Sequence, residues 1–201
     1  MKTRIFTLIA LFVIMSGISN FTYAAAANHA DYVVLNDIKA INKIEVRGNV
    51  ELYISDNSEA QVKVYNKYYS ESALVQAKNG VLRITSYTNE KLIVWVSTDN
   101  LRSISVYDNA TVKSFGKLSK IEFNVDLHDN ASAKLDLDAY SADVTVKDHA
   151  KIELSGNATE FSLNHTVGST VKDSNFAAEH TNTNKTTTIA RVATDDLTGL
   201  E

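Results

Sequence analysis

ISVYDNATVK (Ile104–Lys113), VDLHDNASAK (Val125–Lys134), VTVKDHAKIE (Val144–Glu153) and LNHTVGSTVK (Leu163–Lys172) are four versions of one ten-residue unit, beginning 21, 19 and 19 residues apart. Each unit opens on an apolar residue. The fifth place holds Asp108, Asp129, Asp148 and then Val167; the sixth holds Asn109, Asn130, His149 and then Gly168; the seventh holds Ala110, Ala131, Ala150 and then Ser169. A fainter copy, IEVRGNVELY (Ile44–Tyr53), carries Asn49 in the sixth place. A fixed period of about 20 residues is the signature of a repeat architecture, in which each unit buries its apolar face only by stacking on its neighbours.

The chemistry within the unit defines a corner. Asn, His and Gly are the residues that best tolerate positive φ, so the sixth place is read as a left-handed corner between two strands. Small seventh residues let successive coils stack closely. A second turn falls at Phe115-Gly116-Lys117 and Ser155-Gly156-Asn157. The resulting expectation is an all-β, parallel β-solenoid with structural corners at Asn49, Asn109, Asn130, His149 and Gly168. Its coils rise by one interstrand spacing of about 4.8 Å, with aliphatic side chains filling the interior. A β-sandwich accounts for the strands but not for corner chemistry that recurs at this period. On this reading Asn130→Gly is nearly neutral, and Asn130→Val costs about 1–2 kcal/mol.

Period-two alternation runs through the rest of the chain: Ile44 and Val46; Val50, Leu52 and Ile54; Val62 and Val64; Val81 and Ile84. Val33 to Ile41 reads as either a short helix or a loop. Leu92 to Val96, Leu-Ile-Val-Trp-Val, is apolar on both faces, as in a strand covered on both sides, and this places Trp95 in the core.

At the start of the chain, Lys2 and Arg4 precede an apolar run from Ile5 to Ile18 and the small residues Ala24 to Ala27. This is the pattern of a secretory signal peptide over residues 1–26, cleaved after Ala24 or Ala26. The apolar run is shorter than the roughly 20 residues that cross a bilayer. The reading continues with a lead-in over 27–40, the solenoid over 41–190 and a tail over 191–201. The mature protein is expected to be extracytoplasmic, either periplasmic or secreted to the cell surface, with no later membrane span. With no Cys it has neither disulfides nor a lipid-anchoring N-terminal cysteine. The formal charge of −4 offers no basic footprint for nucleic acid.

Ile41 to Asn175 resembles the autotransporter adhesin head GIN domain family of bacteria. The resemblance rests on Ile44-Glu45-Val46-Arg47-Gly48-Asn49-Val50-Glu51-Leu52, Asn79-Gly80-Val81-Leu82-Arg83-Ile84, Asn100-Leu101-Arg102-Ser103-Ile104 and the Gly168-Ser169 corner. Asn109, Asn130 and His149 stand where that family usually has glycine, and Asn100 where it often has proline. The resemblance implies a right-handed β-solenoid of the bacterial envelope with an adhesive role, and it supplies no catalytic residues.

The chain contains no Cys nucleophile, no HExxH, no P-loop and no strand-to-helix GxGxxG. No catalytic residue and no cofactor is implied. Stacking brings His128, Asp129, Asp148 and His149 onto one edge beneath Asp108, where a divalent cation would relieve the repulsion of the carboxylates. Asx-turns at solvent-facing corners explain the same residues more simply. Candidate binding positions are the tyrosines Tyr65, Tyr68 and Tyr69, together with an outward column of Ser105, Asp126, Thr145 and Asn164. The matches to Asn-x-Ser/Thr read as turn chemistry. The function expected is that of a noncatalytic surface or envelope binding module for a protein or polysaccharide. A periplasmic structural or sensing component is the second reading, and a polysaccharide-acting enzyme the third. A solenoid end left open offers a route to oligomers.

Overall fold

The computed structural model describes residues 32–35, 38, 40–66 and 69–187. The signal segment, the 191–201 tail and Tyr68 lie outside them. Twelve strands make up the described chain: β1 (Val33–Leu35), β2 (Lys43–Arg47), β3 (Val50–Ser55), β4 (Gln61–Val64), β5 (Ala73–Lys78), β6 (Val81–Ser86), β7 (Leu92–Ser97), β8 (Ser103–Val106), β9 (Thr111–Leu127), β10 (Ser132–Val146), β11 (Lys151–Thr166) and β12 (Thr170–Thr186). Within the Val33 to Ile41 stretch, read as a short helix or a loop, Val33–Leu35 form the short strand β1, and residues 36, 37 and 39 lie outside the described ones.

The fold is a parallel β-solenoid, and its pairing reproduces the repeat alignment residue for residue. Ile44 lies beside Ile104, Ile104 beside Val125, Val125 beside Val144, and Val144 beside Leu163. These five side chains form one buried column. Val46, Val106, Leu127 and Val146 form a second, and Leu52, Val112, Ala133 and Ile152 a third. Truncating one such residue, Leu127→Ala for example, removes buried methyls from a close-packed interior and costs about 2–5 kcal/mol. The small seventh residues Ala110, Ala131 and Ala150 are fully buried, and their carbonyls accept the N–H groups of Ser132, Lys151 and Thr170 in the following coils.

Strands β9 to β12 each run 15–17 residues because they bend without losing their pairing. Inward residues are normally two apart, but the spacing widens to three between Ala139 and Ala142 and between Ala158 and Phe161. This swings the chain round a corner marked by exposed Tyr140 and by Thr159. Beyond that corner Ala142 sits between Phe123 and Phe161, so that one small side chain accommodates two large ones. Gly156 occupies the other bend at φ +101°, where a Cβ would lie 1.9 Å from the carbonyl oxygen of Leu137.

The coils do not follow chain order throughout. The first coil, β2–β3, lies between β6–β7, which comes later in the chain, and β8–β9. Three strands then close the end formed by β6 and β7: β5 pairs antiparallel with β6, β4 with β7, and β1 with β4. Antiparallel strands on the terminal coil remove an exposed parallel edge and so act as a cap. Lys120 fastens this end to the body of the solenoid. Its ammonium, almost fully buried, reaches the carboxylate of Asp56 and donates 2.8 Å to the carbonyl of Asp99, while Asp56 also accepts the Ser119 N–H at 2.8 Å.

Leu92 to Val96 corrects the expectation of a strand covered on both sides. Leu92, Val94 and Val96 point inward, whereas Ile93 and Trp95 are only half-buried on the outer face. The outer aromatic cluster described below, rather than a second layer, explains the apolar residues on that face.

Candidate binding surface

The corners hold the expected residues, but the left-handed conformation lies one place earlier than expected. Asp108, Asp129 and Asp148 have φ of 59°, 57° and 56°; Asn109, Asn130 and His149 do not have positive φ, and neither Asn49 nor Gly168 does. In the first coil the left-handed residue is Gly48, with φ of 80°. The four later corners are each closed by a hydrogen bond across four residues, as in Ala131 N–H to the His128 carbonyl at 3.0 Å, whereas in the first coil the Val50 N–H reaches the Gly48 carbonyl at 3.2 Å. At Asp108, Asp129 and Asp148 only the first of the two central residues carries positive φ, and at Val167–Gly168 neither does. Gly168 answers a different need, since a Cβ there would approach the Asp148 carbonyl oxygen to 2.6 Å.

Aspartate takes this position because its carboxylate reaches back to the preceding coil. The Gly48 N–H donates to Asp108 at 2.9 Å, the Asp108 N–H to Asp129 at 3.0 Å, and the Asp129 N–H to Asp148 at 3.1 Å. The ladder ends at Val167, which has no side-chain acceptor. Backbone N–H groups that the sheet leaves free at the corners are thereby satisfied, and neighbouring coils are clipped together.

This arrangement also accounts for the candidate cation cluster of His128, Asp129, Asp148 and His149, which does not converge. His128 stacks on Tyr107, with ring centroids 4.9 Å apart and planes at 11°, and contacts Asp126 Oδ2 at 2.9 Å. The Arg47 guanidinium covers the other side of Tyr107, 3.8 Å from the ring centroid. Asp129, Asp148 and His149 line an open cleft of about 560 Å³ with the Gly168 corner. Among the described residues no three His, Cys, Asp or Glu side chains are grouped to hold a metal ion.

Ser105, Asp126, Thr145 and Asn164 do form one column in register, continued by Glu45 on one side and Asn184 on the other. Ser105, short and set between Glu45 and Asp126, is only 6% exposed and offers a partner little surface. Asp126 Oδ1 is buried without a hydrogen-bond partner. The tyrosines separate. Tyr65 is exposed and packs on Tyr32 at 5.4 Å, whereas Tyr69 lies in a 3₁₀ turn (Tyr69–Glu71) against the core.

A second outward face, formed by β7, β3 and the first halves of β9 to β12, carries a denser constellation. Trp95, Tyr53, Lys113, Lys134, Glu153 and Lys172 stand in one column at successive coils. Trp95 stacks on Tyr53 at 4.9 Å and 21°, and Phe115 meets Trp95 at 5.1 Å with its ring tilted 56°. Phe115 is 63% exposed. It belongs to a bulge: the offset between β9 and β10 changes from 21 to 19 residues, so Ser114, Phe115 and Gly116 stand opposite Leu135 alone, and Gly116 takes φ of 79° with open space around it.

Glu51 anchors the polar side of this cluster. It accepts from Lys113 at 2.6 Å and from the Tyr53 hydroxyl at 2.7 Å, with Lys91 3.2 Å from its other oxygen. The Lys113 hydrogen bond, then that of Tyr53, holds its carboxyl down at about 2 against the ordinary 4.5. Beyond it a shallow groove of about 240 Å³ runs between two columns, with Ala133 and Ile152 on its floor and Lys113, Lys134, Lys151 and Lys172 along its sides. The sequence carried a signal for this face, since the tenth place of the repeat reads Lys, Lys, Glu, Lys, and Trp95 alternates with inward Val94 and Val96.

Fold and surface together define a β-solenoid that presents in-register columns of side chains to solvent. The chain belongs to the family described as "Putative auto-transporter adhesin, head GIN domain", whose model matches residues 40–193. It is similar in fold to a protein described as a "putative adhesin" from Bacteroides fragilis, with TM-score 0.70, 14% identity and coverage of 78% of this chain and 76% of that one. A "putative adhesin" from Parabacteroides distasonis gives 0.63, 16%, 78% and 78% for the same measures. A "Putative lipid binding protein" from the same species gives 0.55, 10%, 77% and 77%. No curated protein matches the chain in sequence.

Proposed function

We propose that the protein is a noncatalytic binding module of the bacterial envelope, exported by its N-terminal segment and adhesive through the outer faces of its solenoid. The observation that carries this reading is the filling of the interior by the chain's own aliphatic columns, which leaves recognition to outward columns repeated at each coil. Repetition suits a polymeric or multivalent partner, because several weak contacts on one rigid face add up to useful avidity. The family's description as an adhesin and the signal pattern of residues 1–26 support the same role. No helix among the described residues is long and apolar enough to cross a membrane.

Cell fractionation with surface proteolysis, followed by capture of envelope polysaccharide and protein on the mature chain, tests the proposal. Surface exposure with capture that alanine substitutions on one outer face abolish is the expected result. Confinement to the periplasm would favour a structural or sensing component. Turnover of a glycan that a single carboxylate substitution removes would overturn the noncatalytic reading.

A further inference from the structure

Resting on that surface-binding reading, we infer that the second outward face is the ligand site and that its ligand is an anionic, carboxylate-bearing polysaccharide. Three observations converge on it. The chain's single tryptophan is held at the surface by stacking on Tyr53 rather than being buried in the core. The bulge in β9 then places Phe115, mostly exposed, against the same indole. A bulge that re-aims one side chain is a feature typical of functional surfaces, and here the side chain it aims outward is apolar. Such a platform of rings matches the C–H faces of pyranose rings, whose hydroxyls meet the polar edges around it.

The groove adjoining this platform sets the charge of the ligand. Its sides carry four lysines against Glu153, within a chain whose net charge is −4. Lys113 is committed to Glu51, and Lys134 pairs with Glu153 at an exposed position, where such a pair is easily exchanged. Lys151 and Lys172 form no direct ion pair among the described residues, although Lys172, beside Glu153 in the column, acts on its carboxylate through space. Thr111, Ser132 and Thr170 line the same groove and add hydroxyl donors and acceptors. The coils place these groups at repeated spacing along one line, which a linear polymer of acidic sugars can follow from the aromatic platform into the groove. A neutral glycan would leave the lysines unused, and a membrane surface would find three rings in a row of charged and hydroxylated side chains instead of a broad apolar patch.

Trp95 provides its own readout. Titration of the full mature chain at low salt with polygalacturonate should quench or shift its fluorescence, while dextran of similar length should not. Exchanging both Lys151 and Lys172 for Gln should weaken polygalacturonate binding by about tenfold and flatten its salt dependence. Phe115→Ala should also weaken it, and both variants alter exposed side chains, so circular dichroism should show the parent fold. Equal binding of dextran would overturn the charge assignment. Equal binding of polyglutamate or oligo-dT would overturn the sugar assignment, as would a preference for phosphatidylglycerol vesicles. If envelope material is still captured but only Thr145 and Asn164 variants lose it, the site lies on the other face and the surface-binding function stands. If no outer face captures anything, both readings fail.

Discussion

Valine substitutions at Asp129 and at its neighbour Asn130 separate two accounts of the corner. Asp129 has φ of 57° and its carboxylate accepts the Asp108 N–H at 3.0 Å. Asp129→Val removes that hydrogen bond, at about 0.5–1.5 kcal/mol. It also forces a β-branched residue into the left-handed region, at about 1–2 kcal/mol more. The sum is about 1.5–3.5 kcal/mol, or roughly 3–14 °C in melting temperature for a chain of this size. Asn130 has no positive φ, and its N–H bond to the Asp108 carbonyl is made by backbone alone. Asn130→Val should therefore stay within about 0.5 kcal/mol, as for an ordinary exposed site. Asp129→Gly supplies the control, since relief of the left-handed strain offsets most of the lost hydrogen bond. Urea and thermal unfolding of the three variants against the parent measure the differences. Equal losses at Asp129 and Asn130 would refute the placement of strain and ladder at the fifth position.

Two further outcomes follow from the glycines and from Glu51. Gly156→Ala should destabilise by about 3 kcal/mol or more, because the new methyl meets the Leu137 carbonyl at positive φ, whereas Gly116→Ala, with open space around it, should lose only about 1 kcal/mol; paired melts compare them. The folded Glu51 carboxyl titrates near 2 against an ordinary value of 4.5, so its contribution is complete above pH 4.5 and disappears as pH falls toward 2. Glu51→Gln should accordingly be less stable at neutral pH and should lose less stability than the parent between those two pH values, as followed by Trp95 fluorescence.

The corner shows how local sequence can locate a feature and still misplace its chemistry. Asp, Asn and His all tolerate positive φ, so the fifth and sixth places compete on propensity alone. The hydrogen bond from the preceding coil decides between them. It joins residues 19–21 apart and is invisible until the coils are stacked. The outward position of Trp95 escapes local sequence for a related reason. Five apolar residues in succession fit a strand covered on both sides, and only the arrival of Phe115 from a different coil shows that the outer cover is a small aromatic cluster at the surface.

The sequence by itself determined the solenoid, its period and its register, because a repeat that places Ile104, Val125, Val144 and Leu163 in equivalent positions has one arrangement that buries them all together. The repeat also marks the Asp corners, the bend at Gly156 and the buried alanines, where steric demands act within a few residues of chain, but not the third corner at Tyr140 and Thr159. Only the folded chain reveals that β2–β3 lies between β6–β7 and β8–β9, that β1, β4 and β5 cap the end, and that Lys120 reaches Asp56 and the Asp99 carbonyl to fasten it. It alone assembled the face of Trp95, Phe115 and the lysines. Those features depend on which distant segments become neighbours, and pairing across such separations is set by the total burial and hydrogen bonding of the folded chain, which no local pattern of residues encodes.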